Sequence, residues 1–424
     1  MGDLTKALGP WRGTAMMLNI VLGAGLLTLP GLAAQSAGSA AILVWVVCAL
    51  AAFPLLLIFA LLGRDYPDAG GLASIMRHAF GAFGYVPSTF IFLGAVAVGL
   101  PAIAMTGGYY AAAAVGGPPH LYAGALILLA MIGNLASAEI AGRINTAIAS
   151  VILLVLIAIT VLGWLVVEPD WGTVRAATSD LPDLATFGLV FMMVFFAFTG
   201  WEVAANLGGE FHDPRRNIPI AMAMSFVLAV GLYLALAIVV VASGPVGADE
   251  APFARIFGAE FGPAGALAMS GVSVVIIYAN LSAALWAVSR MVYSAATERL
   301  IFGCFTRVAR GVPLNAVLLT TGVLLSVVLL SYQGLLDLGS LLAIAGQNFL
   351  LLYAGAAAAL VQLATKGWHR VLGWACLALV AVLMAGRGIQ GLYYPAFLVA
   401  AGLAVALVRM RLALMVAGRG EGST

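Results

Sequence analysis

One acidic residue, Glu202, stands inside a long apolar run and directly follows Phe198-Thr199-Gly200-Trp201. An ionisable group near the middle of a membrane helix costs about 2.5–3.5 kcal/mol on insertion scales, and such groups face a cavity or a partner. Two roles fit Glu202: binding and releasing a proton, or hydrogen-bonding unwound backbone and staying in place. A second feature of the same kind lies near the N-terminus, where Gly23 and Gly25 flank Ala24 within Val21-Leu22-Gly23-Ala24-Gly25-Leu26-Leu27. Glycines let a backbone leave helical geometry at little steric cost. Unwinding there frees N–H groups at the positive end of the following half-helix, which suits a carboxylate. A small-residue patch for helix packing is the plainer alternative. Matched breaks favour a binding site, because unwound backbone at membrane depth persists only where it is buried in protein or lines a cavity. The carbonyl-rich end at Phe198-Thr199-Gly200 then suits an ammonium group. Candidate substrate contacts are Leu22, Gly23, Ala24, Gly25, Phe196, Phe198, Thr199 and Gly200; Glu202 is the candidate for proton coupling.

Long helices must carry these residues. The chain is 63% hydrophobic and only 8% charged, against roughly 25% charged for soluble proteins. A lipid bilayer is the environment this composition demands, and nothing in it points to nucleic acid. Reading for runs of about 20 apolar residues gives twelve spans, near 12–35, 39–63, 83–115, 120–138, 143–167, 185–209, 218–243, 263–297, 312–331, 336–364, 369–387 and 390–410. The two breaks fall in the first and the sixth. If the halves are inverted repeats of five helices, those two spans are equivalent. With an even count both termini share one side, and that side receives 16 of the 19 Lys and Arg residues. Only Arg175, Arg255 and Arg387 fall opposite, so both termini are expected in the cytoplasm. The segment 72–80 reads as a short amphipathic helix at the cytoplasmic surface, and 168–183 as a solvated loop. A small-residue cleavage site does not clearly follow the first apolar stretch, which is therefore kept as a membrane helix.

Apart from Glu202, almost no charge lies at mid-membrane, so a neutral, apolar side chain is the expected cargo. Phe195, Phe196, Phe198 and Trp201 can wall or gate it. Pro101, in Gly99-Leu100-Pro101, is expected to kink the third span or weaken one of its turns. Asn280, Ser282, Ser289, Gln347 and Asn348 can contact substrate or ion, or simply bond between helices. The cysteines Cys48, Cys304 and Cys376 are scattered and read as isolated thiols. No pair of the four histidines has metal-ligand spacing, no phosphate-binding loop is present, and no cofactor or enzymatic activity is expected.

The segments Leu22-Gly23-Ala24-Gly25-Leu26, Phe198-Thr199-Gly200-Trp201-Glu202 and His212-Asp213-Pro214-Arg215-Arg216-Asn217-Ile218-Pro219 resemble motifs of the amino acid–polyamine–organocation transporter family. Within it the chain looks closest to bacterial exporters of methionine and branched-chain amino acids, on Leu22 to Pro30, Leu62 to Gly71 and Val98 to Ala102. The resemblance implies an all-α membrane protein with a LeuT-like five-plus-five inverted repeat, broken helices 1 and 6 and two peripheral helices. The first repeat would cover about 12–167, the second about 185–364, and the peripheral pair about 369–410. It further implies alternating access, a carboxylate seat at Gly23, Ala24 and Gly25, a gating aromatic at Phe196 and a proton-linked acid at Glu202. Some family members carry a lysine in the fifth span in place of sodium; here its nearest polar residues are Asn145, Thr146 and Ser150. The expected function is efflux of neutral apolar amino acids by proton antiport across a bacterial inner membrane. Import or exchange, sodium coupling and, from another class, a channel are the alternatives.

Overall fold

The computed structural model describes residues 9–22, 24–66, 71–136, 153–167, 171–179, 181–204, 211–309, 311–386 and 389–420. Among them the chain is helical throughout, and the only extended pairing is an isolated bridge between Ala309 and Val312. In chain order the helices are α1 (Pro10–Val21), α2 (Leu29–Ala37), α3 (Ala41–Asp65), α4 (Gly71–Phe80), α5 (Ala82–Val115), α6 (Pro119–Ala136) and α7 (Leu153–Val166). There follow α8 (Trp171–Arg175), α9 (Leu184–Phe195), α10 (Trp201–Ala204), α11 (Pro214–Ala242) and α12 (Pro252–Thr297). The last four are α13 (Leu314–Tyr332), α14 (Leu338–Leu363), α15 (Gly367–Ala385) and α16 (Tyr393–Gly420).

Proline and acidic caps set several of these starts. Pro10, Pro214 and Pro252 stand in the first turns of α1, α11 and α12, where a missing N–H costs nothing. Asp183 caps α9 by accepting from the N–H groups of Ala185 and Thr186, and Asp337 caps α14 by accepting from Ser340 N–H. Gly262, at φ 68°, divides α12 into a short N-terminal arm and a long helix beginning at Pro263. The eighth span therefore starts where the apolar run does.

Eight helical stretches of the described residues are long and apolar enough to cross a membrane. Shorter apolar helices cover Pro119–Leu135 and Leu184–Phe198, and α7 meets the segment Trp171–Thr178 at 114°. The protein is thus a multi-pass membrane protein. One correction concerns 168–183: instead of an open loop, residues Trp171–Arg175 form α8 and Ala176–Thr178 a 3-10 turn, with Ala177 buried. Surface segment α4 forms as expected, with Leu72, Ile75 and Met76 buried and Arg77 paired to Glu298 at 2.8 Å.

The core centres on α5, which packs on α6, α12, α14 and α16. Around it α3 lies on α9 and α11, and α9 on α14. In contrast, α15 and α16 expose long apolar faces, including Trp368, Val371, Trp374, Phe397 and Leu407, as helices at a lipid boundary do. Pro87 and Pro101 both lie inside α5, which stays helical from end to end.

Candidate functional site

Both sequence breaks are real interruptions. Helix α1 ends at Val21; Leu22 caps it at φ −75°, ψ 71°, a 3-10 turn covers Ala24–Leu27, and α2 starts at Leu29. Gly23 lies outside the described residues. In the second break α9 ends at Phe195, Phe196–Phe198 form a 3-10 turn, and Thr199 is extended at φ −95°, ψ 165°. Gly200 then adopts φ 112°, a conformation that side chains resist, and α10 begins at Trp201.

The two breaks meet. A Cβ placed on Gly25 would stand 3.5 Å from Phe196 Cδ1, and one on Gly99 of α5 would stand 3.1 Å from Phe196 Cε2. The Phe196 ring is therefore held between a glycine of the first break and a glycine of the third span. Behind it, Gly346 of α14 leaves no room for a Cβ against the Met192 carbonyl. That close approach brings α14 against α9 just before the second break.

Interrupting a helix strands backbone carbonyls, and buried tyrosines serve them. Tyr233 of α11 places its hydroxyl 2.8 Å from the Ala197 carbonyl and 3.2 Å from the Val21 carbonyl. One side chain thus joins the end of α1 to the turn after α9. Tyr110 of α5 donates to the Leu27 carbonyl at 2.7 Å. Tyr353 of α14 donates to Glu202 Oε2 at 2.7 Å and lies 3.4 Å from the Phe198 carbonyl. All three tyrosines are at most 1% exposed. Aromatic contacts fix their rings: Trp45 lies 5.6 Å from Tyr233 and 6.0 Å from Phe198, Phe198 meets Tyr233 edge-on at 5.2 Å, and Phe59 meets Tyr353 at 4.7 Å.

Glu202 is buried, and its carboxyl accepts from Gly200 N–H at 3.0 and 3.2 Å as well as from Tyr353. Thr199 turns its hydroxyl back onto the Phe196 carbonyl at 2.8 Å. Thr28, after the first break, donates its hydroxyl to the Glu250 carbonyl, tying that break to the segment before α12.

Comparison with known proteins decides the class. The family model for amino acid permease matches residues 8–408. The chain belongs to this family. The permease is 29% identical over 411 residues to the uncharacterized amino acid permease YecA of Bacillus subtilis (strain 168), covering 94% of this chain and 95% of that one. It is 28% identical over 420 residues to the L-methionine/branched-chain amino acid exporter YjeH of Escherichia coli (strain K12), covering 95% and 96%. The protein is accordingly a membrane transporter of the amino acid permease type.

Of the residues singled out in the permease sequence, Leu22, Gly25, Phe196, Phe198, Thr199, Gly200 and Glu202 come together around the paired breaks, with Ala24 in the 3-10 turn of the first. Phe195 and Trp201 turn into packing, against Tyr353 and Phe226 respectively. Ser282 bonds between helices, its hydroxyl and carbonyl facing Asn134 Nδ2 at 3.4 and 3.1 Å. Asn348 returns to its own helix, donating to the Ile344 carbonyl. Gln347 is fully buried and its amide has no partner among the described residues. Asn145, Thr146 and Ser150 of the fifth span lie outside the described residues. The sequence reading passed over Tyr110, Tyr233 and Tyr353. Their signal was available: a tyrosine in an apolar run carries a hydroxyl that must find a partner when buried.

Proposed function

We propose that this permease is a secondary transporter of neutral apolar L-amino acids, with methionine, leucine, isoleucine and valine as the cargo class, working by alternating access. The observation that carries this reading is the meeting of the two broken helices, with Tyr233 bonded to both and Phe196 lodged against Gly25. The first break offers backbone for a substrate carboxylate at Leu22, Gly23, Ala24 and Gly25. The second offers carbonyls for the ammonium group around Phe196, Phe198, Thr199 and Gly200. Apolar surroundings and the lack of a second buried charge near Glu202 among the described residues suit an uncharged side chain. YjeH, by its name an exporter of L-methionine and branched-chain amino acids, supports the same substrate class.

The reading includes twelve crossings and a LeuT-like five-plus-five repeat, with 12–167 and 185–364 as the halves and 369–410 as peripheral helices. Leu29–Asp65 supports two crossings at its place, because 37 residues would measure about 55 Å as one helix. The hydrocarbon is only about 30 Å thick. The direction is efflux coupled to proton antiport, with both termini in the cytoplasm of a bacterial cell and the protein in its inner membrane. Glu202 is the proton carrier, and Phe196 the gate. Reconstitution into liposomes tests this: labelled leucine and methionine should move against labelled arginine and glutamate as poor substrates. An imposed pH gradient, not a sodium gradient, should drive accumulation. Preference for arginine or glutamate overturns the substrate class, sodium dependence overturns the coupling, and unchanged pH dependence in Glu202→Gln removes Glu202 as carrier. Flux without saturation or counter-flow would instead mark a channel.

A further inference from the structure

Two sequence motifs outside the central site, the one ending α3 and the one opening α11, converge on a single cavity of about 560 Å³. Its polar wall includes Arg64, Asp65, Arg215, Lys366 and His369. Arg64 is already engaged, with Nε 2.8 Å and Nη2 2.9 Å from the Asp65 carboxylate. Arg215 and Lys366 have no ion-pair partner among the described residues, so the lining carries an excess of positive charge. Arg215 and His369 line the same cavity as Asp65. His369 is only 3% exposed, and its Nε2 has no hydrogen-bond partner among the described residues. The 19-residue helix α15 starts at the same place, with Lys366 as its N-cap, and the positive end of its dipole lies there.

Cations, an unpaired imidazole nitrogen and a helix start together form a seat for a phosphate group. The rest of the cavity argues against a freely dissolved ion as the occupant. Leu62, Leu360 and Leu363 supply an apolar wall. Immediately beside it Trp368 is exposed, its ring 4.1 Å from that of His369. Val371 and Trp374 continue the exposed apolar stripe along α15, where an acyl chain can lie. An exposed tryptophan at a helix end is a headgroup-level residue, and basic pockets between membrane helices on the cytoplasmic side take anionic headgroups. Arg64, Arg215 and Lys366 all belong to the side assigned to the cytoplasm by charge segregation.

We propose that this cavity binds the phosphate of an anionic phospholipid, held by Arg215, Lys366 and His369, with its acyl chains along α15. Native mass spectrometry of the full-length protein, exchanged into detergent with phosphatidylglycerol, phosphatidylcholine or inorganic phosphate, separates the sources. Phosphatidylglycerol should remain bound through detergent exchange and phosphatidylcholine should not. Millimolar inorganic phosphate should fail to displace it. Arg215→Gln with Lys366→Gln should weaken retention at least tenfold, and His369→Gln to a smaller extent, while Arg215→Lys with Lys366→Arg should keep most of it. Equal retention of the two lipids, or full displacement by inorganic phosphate, overturns the lipid assignment. Equal retention by the wild type and a correctly eluting double glutamine variant overturns the site. Should that variant fail to fold, the lipid and phosphate arms on the wild type still decide the ligand, and His369→Gln decides the place.

Discussion

The two helix breaks solve one problem in different ways. At the second, the chain serves itself in part: Thr199 turns back on the Phe196 carbonyl, Glu202 accepts from Gly200 N–H, and Gly200 holds a positive φ. At the first, the described local sequence is Leu22, Ala24, Gly25, Leu26 and Leu27, with no polar side chain at all. Its carbonyls are served from elsewhere, by Tyr233 of α11 and Tyr110 of α5. The second break therefore adds bonds of its own to those it takes from Tyr233 and Tyr353. The first is specified by its neighbours, and its geometry follows theirs.

Predictions can break or sharpen that contrast. The largest effect is expected at Gly200→Ala, because a side chain at φ 112° costs about 1–3 kcal/mol of local strain. Transport in liposomes should fall at least tenfold; a fully active variant would show that the second break is not locally fixed. Tyr233→Phe comes next, since it removes the hydroxyl shared by both breaks. Leaving a buried carbonyl without its donor costs about 1–3 kcal/mol, so thermal unfolding in detergent should come several degrees lower. Thr199→Val should lower it less, because only the second break loses a bond. Gly99→Ala should rank third: the added methyl would press on Phe196 at 3.1 Å, cutting uptake severalfold, and Phe196→Leu in the same chain should restore part of it. Restoration absent, the wedge between the breaks is not the cause.

The smallest effect concerns the cap of α9. The hydrogen bond from the Thr186 side chain, followed by backbone N–H groups, holds the exposed Asp183 carboxyl below the usual carboxylate range. A depressed value means the cap contributes fully above the unfolded carboxylate value, near 3.9, and is lost as pH falls through the lower, folded one. Asp183→Asn should therefore leave pH dependence between pH 5 and 8 unchanged and remove only a small loss of stability in strong acid. Titrating thermal stability from pH 7 to pH 3 for both proteins checks this. A change in the neutral range would assign to the cap a role proposed here for Glu202.

Much of this arrangement was legible in the residues. Runs of apolar sequence placed α3, α5, α6, α11, α13 and α14 within a few residues of their observed ends, because lipid-facing and core-facing positions are both apolar and most charge gathers in loops and at helix ends. Gly25 and Gly200 marked the breaks, since no other residue leaves a helix so readily. The partners of the breaks were not legible. Tyr233 lies 212 positions from Val21, and nothing in local pattern says which helix face a distant tyrosine will meet. Glu202 showed the same limit: its isolation in an apolar run was visible, but the hydroxyl of Tyr353 and the N–H of Gly200 came only with the packing. The stretch 168–183 misled for another reason. Its acidic residues suggested a solvated loop, and α8 does bury none of its residues, but Val174 packs on the core and the segment winds into a short helix.

The Tyr233 hydroxyl owns one proton and faces two carbonyls, at 2.8 and 3.2 Å. Such a proton is handed over rather than lost. If α1 withdraws by a few tenths of an ångström, the bond to Ala197 strengthens as the bond to Val21 lengthens, and the sum changes little. Were α1 to press inward, the exchange would run the other way. Two rigid half-helices coupled in this manner can slide past one another on a nearly level energy surface, with the tyrosine as bearing between them.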